Sequence, residues 1–336
     1  MKKIAAVVCN NGLGHLKRVL SVLKRLHKES QFSHQIDLHV NLKKLKSLPH
    51  ITETLQSETI GIEYHDVQSE GLEYEEEFLV KYKNKLQKAD MIWSDNLVFP
   101  LKFRKEVFLT GSFLWLDVCP ETAESKKEKE ILSRNKPFMI ANKYFATPGV
   151  RNFTTLKDVG MYEYWPINFV KPAKKKILIS CGESRLGYEY FQNSLDQIKN
   201  TLQELPPDVE VYIEPRFFCH FKDYKNVLKA DFSEHMFSEI KAAIIRPGVG
   251  TICDVLSKGG RIYALCDDDN YEINHNAGIL EQLQIGEKTE NIPDALKRSL
   301  DYLENPKMQE FHYDHLQRLE FNGVDLTARE IVKITS

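Results

Sequence analysis

The hydrophobic pattern at the start of the chain changes from that of a strand to that of a helix. Residues from Ile4 to Cys9 form a short apolar run, which is typical of a buried strand. The stretch from Asn10 to Gly14 predicts a turn, and apolar positions with helical spacing then continue to about Lys28. The chain therefore opens with a predicted strand, loop and helix.

Similar apolar runs predict further strands in the first half of the chain. They cover Ile36 to Val40, Thr59 to His65, Met91 to Trp93, Val107 to Leu109 and Phe138 to Ile140. Most of them are separated by segments that are long enough for a helix. Repeated strand and helix units favour a parallel sheet.

The alternation starts again at Lys176, after a proline-containing stretch from Tyr162 that we interpret as a hinge. The second series predicts strands over Ile177 to Ser180, Val209 to Ile213, Ala242 to Ile245 and Arg261 to Leu265, with helices over Tyr188 to Leu205 and Ile252 to Lys258. We therefore expect two α/β domains with doubly wound parallel sheets. Their expected bounds are 1–165 and 177–310, with a linker over 166–176 and a final helix over 311–336 that packs back toward the N-terminal domain. The loops that follow the strands should meet at a cleft between the domains.

The composition supports a folded protein and narrows its location. The chain has 336 residues, of which 42% are hydrophobic and 28% charged, and these values disfavour a disordered or coiled-coil protein. No apolar run reaches the roughly 18 residues of a membrane span, and the run at Ile4 is too short for the core of a signal peptide. The six cysteines include no Cys-x-x-Cys pair, so they indicate neither a disulfide framework nor a zinc site. We expect a cytoplasmic protein.

The charge is distributed unevenly. The net charge of -2 argues against a general nucleic-acid-binding protein, but residues 1–48 contain ten Lys or Arg against two acidic residues, a net charge of +8. Five of these cations share the first predicted helix with apolar residues: Lys17, Arg18, Lys24, Arg25 and Lys28. The pattern is typical of a solvated basic face, or of peripheral attraction to anionic lipid headgroups, and the sequence leaves both interpretations open.

The first of two glycine loops lies between the opening strand and helix and reads Asn10-Asn11-Gly12-Leu13-Gly14-His15. Glycines let the backbone approach a ligand, and a helix N-terminus attracts anions. The loop is not a P-loop, and Lys17 stands where the dinucleotide-binding motif needs its third glycine. His15 is a candidate general base near neutral pH. The alternative is a histidine that only hydrogen-bonds a neighbouring loop.

The second glycine loop follows Ile245 and reads Arg246-Pro-Gly-Val-Gly-Thr-Ile-Cys-Asp254. Gly248 and Gly250 bring the backbone close to an anion, Thr251 offers a hydroxyl, and the following helix directs its N-terminus at a phosphate. Asp254 lies one turn further on, where it can accept hydrogen bonds from a ribose. A polar cluster from Asp267 to Asn276 follows the next strand, and a binding site is expected there, with a solvated turn as the alternative.

With these motifs in this order, nearly the whole chain resembles the GT-B glycosyltransferases. Within them it is most similar to the N-acetylglucosaminyltransferase of peptidoglycan synthesis and related prokaryotic glycosyltransferases. The resemblance implies two Rossmann-like domains that face each other across a cleft. It also implies that the C-terminal domain binds a nucleoside diphosphate sugar, expected to be a UDP-sugar, and that the N-terminal domain binds a saccharide or lipid-linked acceptor. No cofactor and no metal are implied.

The resemblance implies roles for individual residues as well. His15 matches the catalytic base of the family, and Asp95, in Trp93-Ser94-Asp95, resembles the aspartate that orients it. The donor nucleotide and diphosphate are expected at Gly12, Gly14, Gly182, Ser184, Phe232, Arg246, Gly248, Gly250, Thr251 and Asp254. The donor sugar is expected at Asp268, Glu272 and Asn276.

Together these expectations describe an inverting, metal-independent glycosyltransferase of cell-surface polysaccharide or glycolipid synthesis, cytoplasmic or peripheral at the inner face of the membrane. The chain departs from the family pattern at Asn10-Asn11 and at Glu183, an acid beside the expected diphosphate. Alternatives are a nucleotide-sugar hydrolase, a nucleotide-sugar 2-epimerase and a non-catalytic nucleotide-sugar-binding protein. The missing third glycine disfavours an NAD-dependent oxidoreductase. Metal sites at Asp267 to Asp269 and at the pair His312 and His315 are disfavoured.

Overall fold

The computed structural model of the protein describes residues 2–29, 34–47, 61–69, 73–119, 122–167, 169, 175–182, 185–266 and 270–336. The chain divides into two compact units. The first contains Met1–Tyr164 and Asn322–Ser336, and the second contains Trp165–Phe321. Each unit is built around its own parallel sheet.

The first unit contains seven strands in the described part of the chain. They are β1 (Lys3–Val8), β2 (Gln35–Val40), β3 (Ile62–Asp66), β4 (Met91–Asp95), β5 (Val107–Gly111), β6 (Phe138–Asn142) and β7 (Thr155–Val159). The sheet order is β3-β2-β1-β4-β5-β6-β7, and every neighbouring pair is parallel. The chain order reverses beside β1, and such a switch point is where α/β sheets bind ligands.

Helices cover the faces of this sheet. They are α1 (Leu13–His27), α2 (Leu42–Lys46), α3 (Glu73–Lys88), α4 (Trp115–Val118), α5 (Ala123–Asn135) and α6 (Pro148–Phe153), with a 3-10 helix at Phe99–Lys102. In β1 every residue after Lys3 is buried, which explains why its sequence is an apolar run rather than an alternation.

The second unit contains six strands among its described residues. They are β8 (Lys175–Ser180), β9 (Val209–Ile213), β10 (Val227–Lys229), β11 (Ala242–Ile245), β12 (Arg261–Leu265) and β13 (Gly286–Thr289), in the parallel order β10-β9-β8-β11-β12-β13. Its helices are α7 (Arg185–Asn193), α8 (Leu195–Gln203), α9 (Glu234–Glu239), α10 (Val249–Ser257), α11 (Tyr271–Gln282), α12 (Ile292–Glu304) and α13 (Pro306–Leu316), with a 3-10 helix at Phe218–His220. The expected fold class, two doubly wound parallel sheets, is confirmed.

The helix α14 (Gly323–Thr335) belongs to the first unit, so the chain returns there after completing the second. The side chain of Asn322 accepts a hydrogen bond from the amide of Gly160 at 2.9 Å. Glu163 accepts hydrogen bonds from the amides of Val324 and Asp325 at 3.1 and 3.3 Å. The two bonds to Glu163 satisfy amides that the first turn of α14 leaves without an intrahelical partner.

Several local predictions differ from the structure. The helix α1 begins at Leu13, so the last two residues of the turn predicted over Asn10 to Gly14 belong to the helix, and His15 lies in its first turn as expected. The single helix predicted from Tyr188 to Leu205 is two helices that meet at Ser194. The predicted start of β3 at Thr59 lies outside the described residues. The strands β7, β10 and β13 were missed because they are short, and β7 and β13 are largely polar.

The predicted basic surface of α1 is wrong for two of its five cations. Lys17 is only 8% exposed and Arg18 only 4% exposed. A buried cation needs a partner, and for Arg18 that partner is a residue of the candidate site.

Candidate active site

His15 and Asp95 come together although 80 positions separate them in the chain. His15 lies in the first turn of α1, directly after β1, and Asp95 is the last residue of β4. The strands β1 and β4 are parallel neighbours, and Val8 is paired with Asp95. Because the carboxyl ends of parallel strands share one edge of the sheet, the two side chains meet, with His15 Nδ1 2.9 Å from Asp95 Oδ1.

Arg18 completes this cluster. Its Nε donates to Asp95 Oδ2 and its second terminal nitrogen donates to Asp95 Oδ1, both at 2.8 Å. This fork geometry is the strongest form of ion pair between arginine and a carboxylate. The same terminal nitrogen of Arg18 lies 3.1 Å from His15 Nδ1. Because His15 and Arg18 both contact Asp95, one carboxylate holds two side chains of α1.

The remaining acceptor position of Asp95 is occupied by a hydroxyl. Thr110, in β5, donates from Oγ1 to Asp95 Oδ2 at 2.7 Å and accepts a hydrogen bond from the indole of Trp93 at 2.9 Å. Asp95 is fully buried, and burial alone would raise its pKa. The ion pair with Arg18 and the bonds from His15 and Arg18 instead lower the pKa of Asp95 to about 2, so the carboxylate is charged near neutral pH.

The charge on Asp95 fixes the state of His15. An ionised carboxylate accepts hydrogen bonds and cannot donate one, so the 2.9 Å contact requires a proton on Nδ1. Nε2 then carries the lone pair. Burial is the main cause that lowers the pKa of His15, Arg18 lowers it further, and Asp95 opposes both. The imidazole is therefore neutral near pH 7, as a general base must be.

A cavity of about 630 Å³ lies in the same unit. Its walls include Asn10 and Asn11 of the first glycine loop together with Phe99 and Trp115. Trp115 packs edge-on against Phe113 with ring centroids 5.3 Å apart, and Phe113 packs edge-on against His15 at 5.9 Å. Aromatic contacts thus connect the cavity wall to the imidazole.

Glu128 adds a carboxyl group to the cavity wall. It is 8% exposed and accepts a hydrogen bond from the amide of Leu116 at 2.6 Å. Burial raises the pKa of Glu128 to about 7, against the effect of that hydrogen bond. Near neutral pH the carboxyl group of Glu128 is therefore present in both its charged and its neutral form, and the neutral form can donate a hydrogen bond.

In the second unit, α10 begins at the second glycine loop. Gly248 precedes the helix, Gly250 and Thr251 lie in its first turn, and no side chain of the described residues caps its N-terminus. The backbone amides of that turn, with the positive end of the helix dipole, form a typical anion site. Gly248 has an ordinary φ of -72°, and a Cβ added to it would meet no described atom within 4 Å. The space beside this glycine is therefore open although the backbone does not require glycine there.

Asn276 connects α11 to this loop. Its side-chain amide donates to the carbonyl of Pro247 at 2.9 Å, and the residue is 1% exposed. Glu272 lies in the first turn of the same helix and is partly exposed. Asp254 lies in α10 and is 3% exposed, while Arg246 follows β11 and is partly exposed.

Gly14 lies in the first turn of α1, and three further expected donor residues lie at loops with unusual backbone geometry. Gly12 and Gly182 have φ of +80° and +77°, which favours glycine, and Phe232 has φ of +53°. Arg216 donates to the carbonyl of Gly182 and pairs with Glu214 at 2.8 Å, so this loop is fixed from within its unit. Ser184 and Asp268, together with Glu183 and the triplet at 267–269, lie outside the described residues. The roles of all these residues stay predictions.

Sequence reasoning missed Arg18, Thr110 and Glu128 as members of the first unit's site. Arg18 follows His15 by three positions, one helical turn, and that spacing places both on one face of α1. This was the available signal. Glu128 stands in a helix rich in Lys and Glu, where nothing local distinguishes a buried acid from exposed ones.

No protein-family model and no curated protein matches the chain. Solved structures do match it. UGT2 of Phytolacca americana, complexed with UDP-2-fluoro-glucose and pterostilbene, is 10% identical with a TM-score of 0.67, and the match covers 100% of both chains. CalG4, the calicheamicin glycosyltransferase, is 13% identical with a TM-score of 0.64 over 99% of this chain and 98% of that chain. A candidate UDP-N-acetylglucosamine 2-epimerase from Listeria monocytogenes is 12% identical with a TM-score of 0.70 over 99% and 95%.

Within the described residues, no helix is both long and apolar enough to cross a membrane.

At 10–13% identity the comparisons establish the fold. Two parallel sheets of seven and six strands, with full-length matches to glycosyltransferase structures, show that the chain has the GT-B fold.

Proposed function

We propose that the protein is an inverting glycosyltransferase, which moves a sugar from a nucleoside diphosphate, expected to be UDP, to a hydroxyl acceptor. The observation that carries the proposal is the buried pair of His15 and Asp95 at the carboxyl ends of neighbouring strands, 2.9 Å apart. An inverting transfer needs one base for the acceptor hydroxyl, and a neutral imidazole held by a carboxylate suits that role. The start of α10, which no described side chain caps, supports binding of the donor diphosphate, because its backbone amides are available to an anion.

In the proposed reaction, Nε2 of His15 takes the proton of the acceptor hydroxyl as its oxygen attacks the anomeric carbon of the donor sugar. A new carbon–oxygen bond forms, the bond from that carbon to the diphosphate breaks, and the nucleoside diphosphate leaves with the electron pair. Asp95 stabilises the imidazolium that results. Arg246 and the amides at the start of α10 stabilise the negative charge of the leaving group, so the step is proposed without a metal ion.

We propose that the acceptor binds in the cavity of the first unit. Phe99 and Trp115 offer apolar surface, while Asn11 and Glu128 offer hydrogen bonds. This lining suits a hydroxyl compound with an apolar part, such as a lipid-linked saccharide, and a role in cell-surface glycan or glycolipid synthesis would follow from it. Because Lys17 and Arg18 are buried and Arg25 pairs with Glu29 and Asp325, peripheral membrane contact through α1 would depend on Lys24 and Lys28.

Two substitutions separate the base from the donor site. His15→Ala should lower turnover by about 10²–10⁴-fold, the usual contribution of a positioned base, and leave donor affinity unchanged. Gly248→Ala should weaken donor binding, because its methyl group enters the open space beside α10 while the backbone accepts it. Donor affinity is measured by calorimetry with a panel of nucleoside diphosphate sugars, and turnover by release of nucleoside diphosphate with and without hydroxyl acceptors.

Unchanged turnover in His15→Ala would show that His15 is not the base. Rapid release of nucleoside diphosphate and free sugar without any acceptor would replace the transferase by a hydrolase. Tight donor binding with no consumption under any condition would favour a non-catalytic binding protein.

A further inference from the structure

A polar cluster interrupts the buried face of the first sheet. Asp37 and His39 stand two positions apart on β2, so both point to the same face. Strand pairing sets His65 of β3 opposite His39 and sets Glu63 opposite Asp37. Asp37 and His39 are fully buried and His65 is 7% exposed. Four groups that can bind a metal therefore share one patch of the sheet.

The helix α3 covers this patch. The ring of His39 lies 4.8 Å from the rings of both Phe78 and Tyr82, and 4.6 Å from the ring of His65. Packing on several sides limits the motion of the imidazoles, and such restraint favours a preformed site.

The potential ligand atoms are close together. One atom each from Asp37, His39 and His65 can be chosen so that all three lie within 4.8 Å of one another. His65 Nε2 lies 3.8 Å from Asp37 Oδ1. Ligands bound to zinc at about 2.0–2.2 Å lie roughly 3–4 Å apart, and the 3.8 Å between His65 Nε2 and Asp37 Oδ1 falls within that range.

His39 is buried with both of its ring nitrogens unsatisfied by any described residue, and this observation also indicates a ligand. Neither of its ring nitrogens has a hydrogen-bond partner among the described residues, although the ring is fully buried. Burying a polar group without a partner costs free energy.

Two lysines neutralise the carboxylates in the structure. Lys3 lies 3.0 Å from Asp37. Lys85 lies 2.8 Å from Glu63 and 3.1 Å from His65 Nε2. Lys85 is 36% exposed at its side chain, so it can turn toward solvent when another cation takes its place.

We propose that Asp37, His39 and His65 form a binding site for a divalent cation of the zinc class, with Glu63 available as a fourth ligand. Two imidazoles and a carboxylate are a ligand set that zinc uses widely. The bound ion links the edge strand β3 to β2 beneath α3. This role is structural, and it is independent of the proposed sugar transfer.

The test uses the full chain, stripped of metal with a chelator and then titrated with Zn²⁺ by calorimetry and with Co²⁺ by visible absorption. We expect one equivalent to bind and to raise the melting temperature. Asp37→Asn and His39→Phe, which preserve approximate shape, should weaken binding by at least about tenfold. Lys85→Met should tighten binding, because it removes the competing cation. His235→Ala, at a histidine that is 84% exposed, is the matched control and should bind as the unchanged protein does.

Absence of binding in both the unchanged protein and Lys85→Met would overturn the proposal. So would equal affinity in Asp37→Asn and the unchanged protein, or a loss of affinity in His235→Ala as large as that in Asp37→Asn. His39→Phe is interpreted only if it melts cooperatively, and Asp37→Asn and Lys85→Met decide the question without it.

Discussion

Three side chains, those of His15, Arg18 and Thr110, donate hydrogen bonds to the carboxylate of Asp95, and of the other two Arg18 affects the proton on His15. Arg18 has two effects of opposite sign. Its positive charge disfavours the imidazolium of His15 directly, and it also fixes the carboxylate that favours the imidazolium. The direct effect lowers the pKa of His15, so Arg18 keeps the base neutral to lower pH.

Substitution of Arg18 tests this at the residue scale. Arg18→Met should raise the pKa of His15, because a positive charge that disfavours the imidazolium is removed, and the acid limb of the pH profile of kcat/KM should move to higher pH. Arg25→Met is a matched control on the same helix, since Arg25 pairs with Asp325 and Glu29. A lower rate with an unmoved acid limb would mean that Arg18 acts on packing and not on the charge of His15.

The sequence indicated two side chains of this site, His15 and Asp95, but it did not indicate the residues that pack around them. His15 follows a glycine loop and Asp95 ends a strand, so both have local signals. For Arg18 the only signal is its spacing of three positions from His15, and nothing in that spacing separates it from an exposed cation, because its partner lies 77 positions away. The charge pattern of α1 therefore predicted an exposed face where the structure has a buried ion pair.

At the scale of elements, apolar runs predicted the central strands well. β1 and β11 are buried along nearly their whole length, and their sequences consist almost entirely of apolar residues. β7 and β13 are edge strands with sequences TLKDV and GEKT. An edge strand has only one paired side and often one solvated face, so its sequence resembles that of a loop.

Packing at the start of α14 also has no signature in sequence. A Cβ added to Gly323 would lie 2.7 Å from the carbonyl oxygen of Gly160, closer than atoms approach without a shift. Gly323→Ala should therefore lower the free energy of unfolding by about 1–3 kcal/mol, measured by urea denaturation.

Gly278→Ala is the matched control for that substitution. Gly278 lies within α11, and a Cβ there would come no closer than 3.8 Å to the flexible end of Lys288. Alanine is the better helix former, so this variant should be more stable by up to about 1 kcal/mol. If both variants gained stability, the close approach at Gly323 would be refuted.

At the scale of the whole molecule, the alternation of strands and helices stops and starts again at Lys176. This restart predicted two sheets, because each sheet needs its own set of apolar strands. The order of strands within each sheet is a matter of long-range pairing and could not be obtained from such runs. The first unit is also discontinuous in sequence, with Asn322–Ser336 added to Met1–Tyr164.

Removal of residues 322–336 tests how much the first unit depends on its second segment. The helix α14 buries Val324, Ala328 and Ile331 within that unit. The shortened chain should therefore show faster amide hydrogen exchange in α1 and β7, which α14 contacts, while β8 to β13 keep their protection. Faster exchange confined to the second unit would contradict this expectation.

The discontinuity of the first unit also determines the order in which a ribosome can complete the two units. All of Trp165–Phe321 is synthesised between the two segments of the first unit. At about 5–20 residues per second, that interval lasts on the order of ten seconds. During it, the face of α1 that α14 will cover has no native partner. The unit that starts synthesis first is thus completed last, and until then its α1 exposes an apolar face that the finished protein covers.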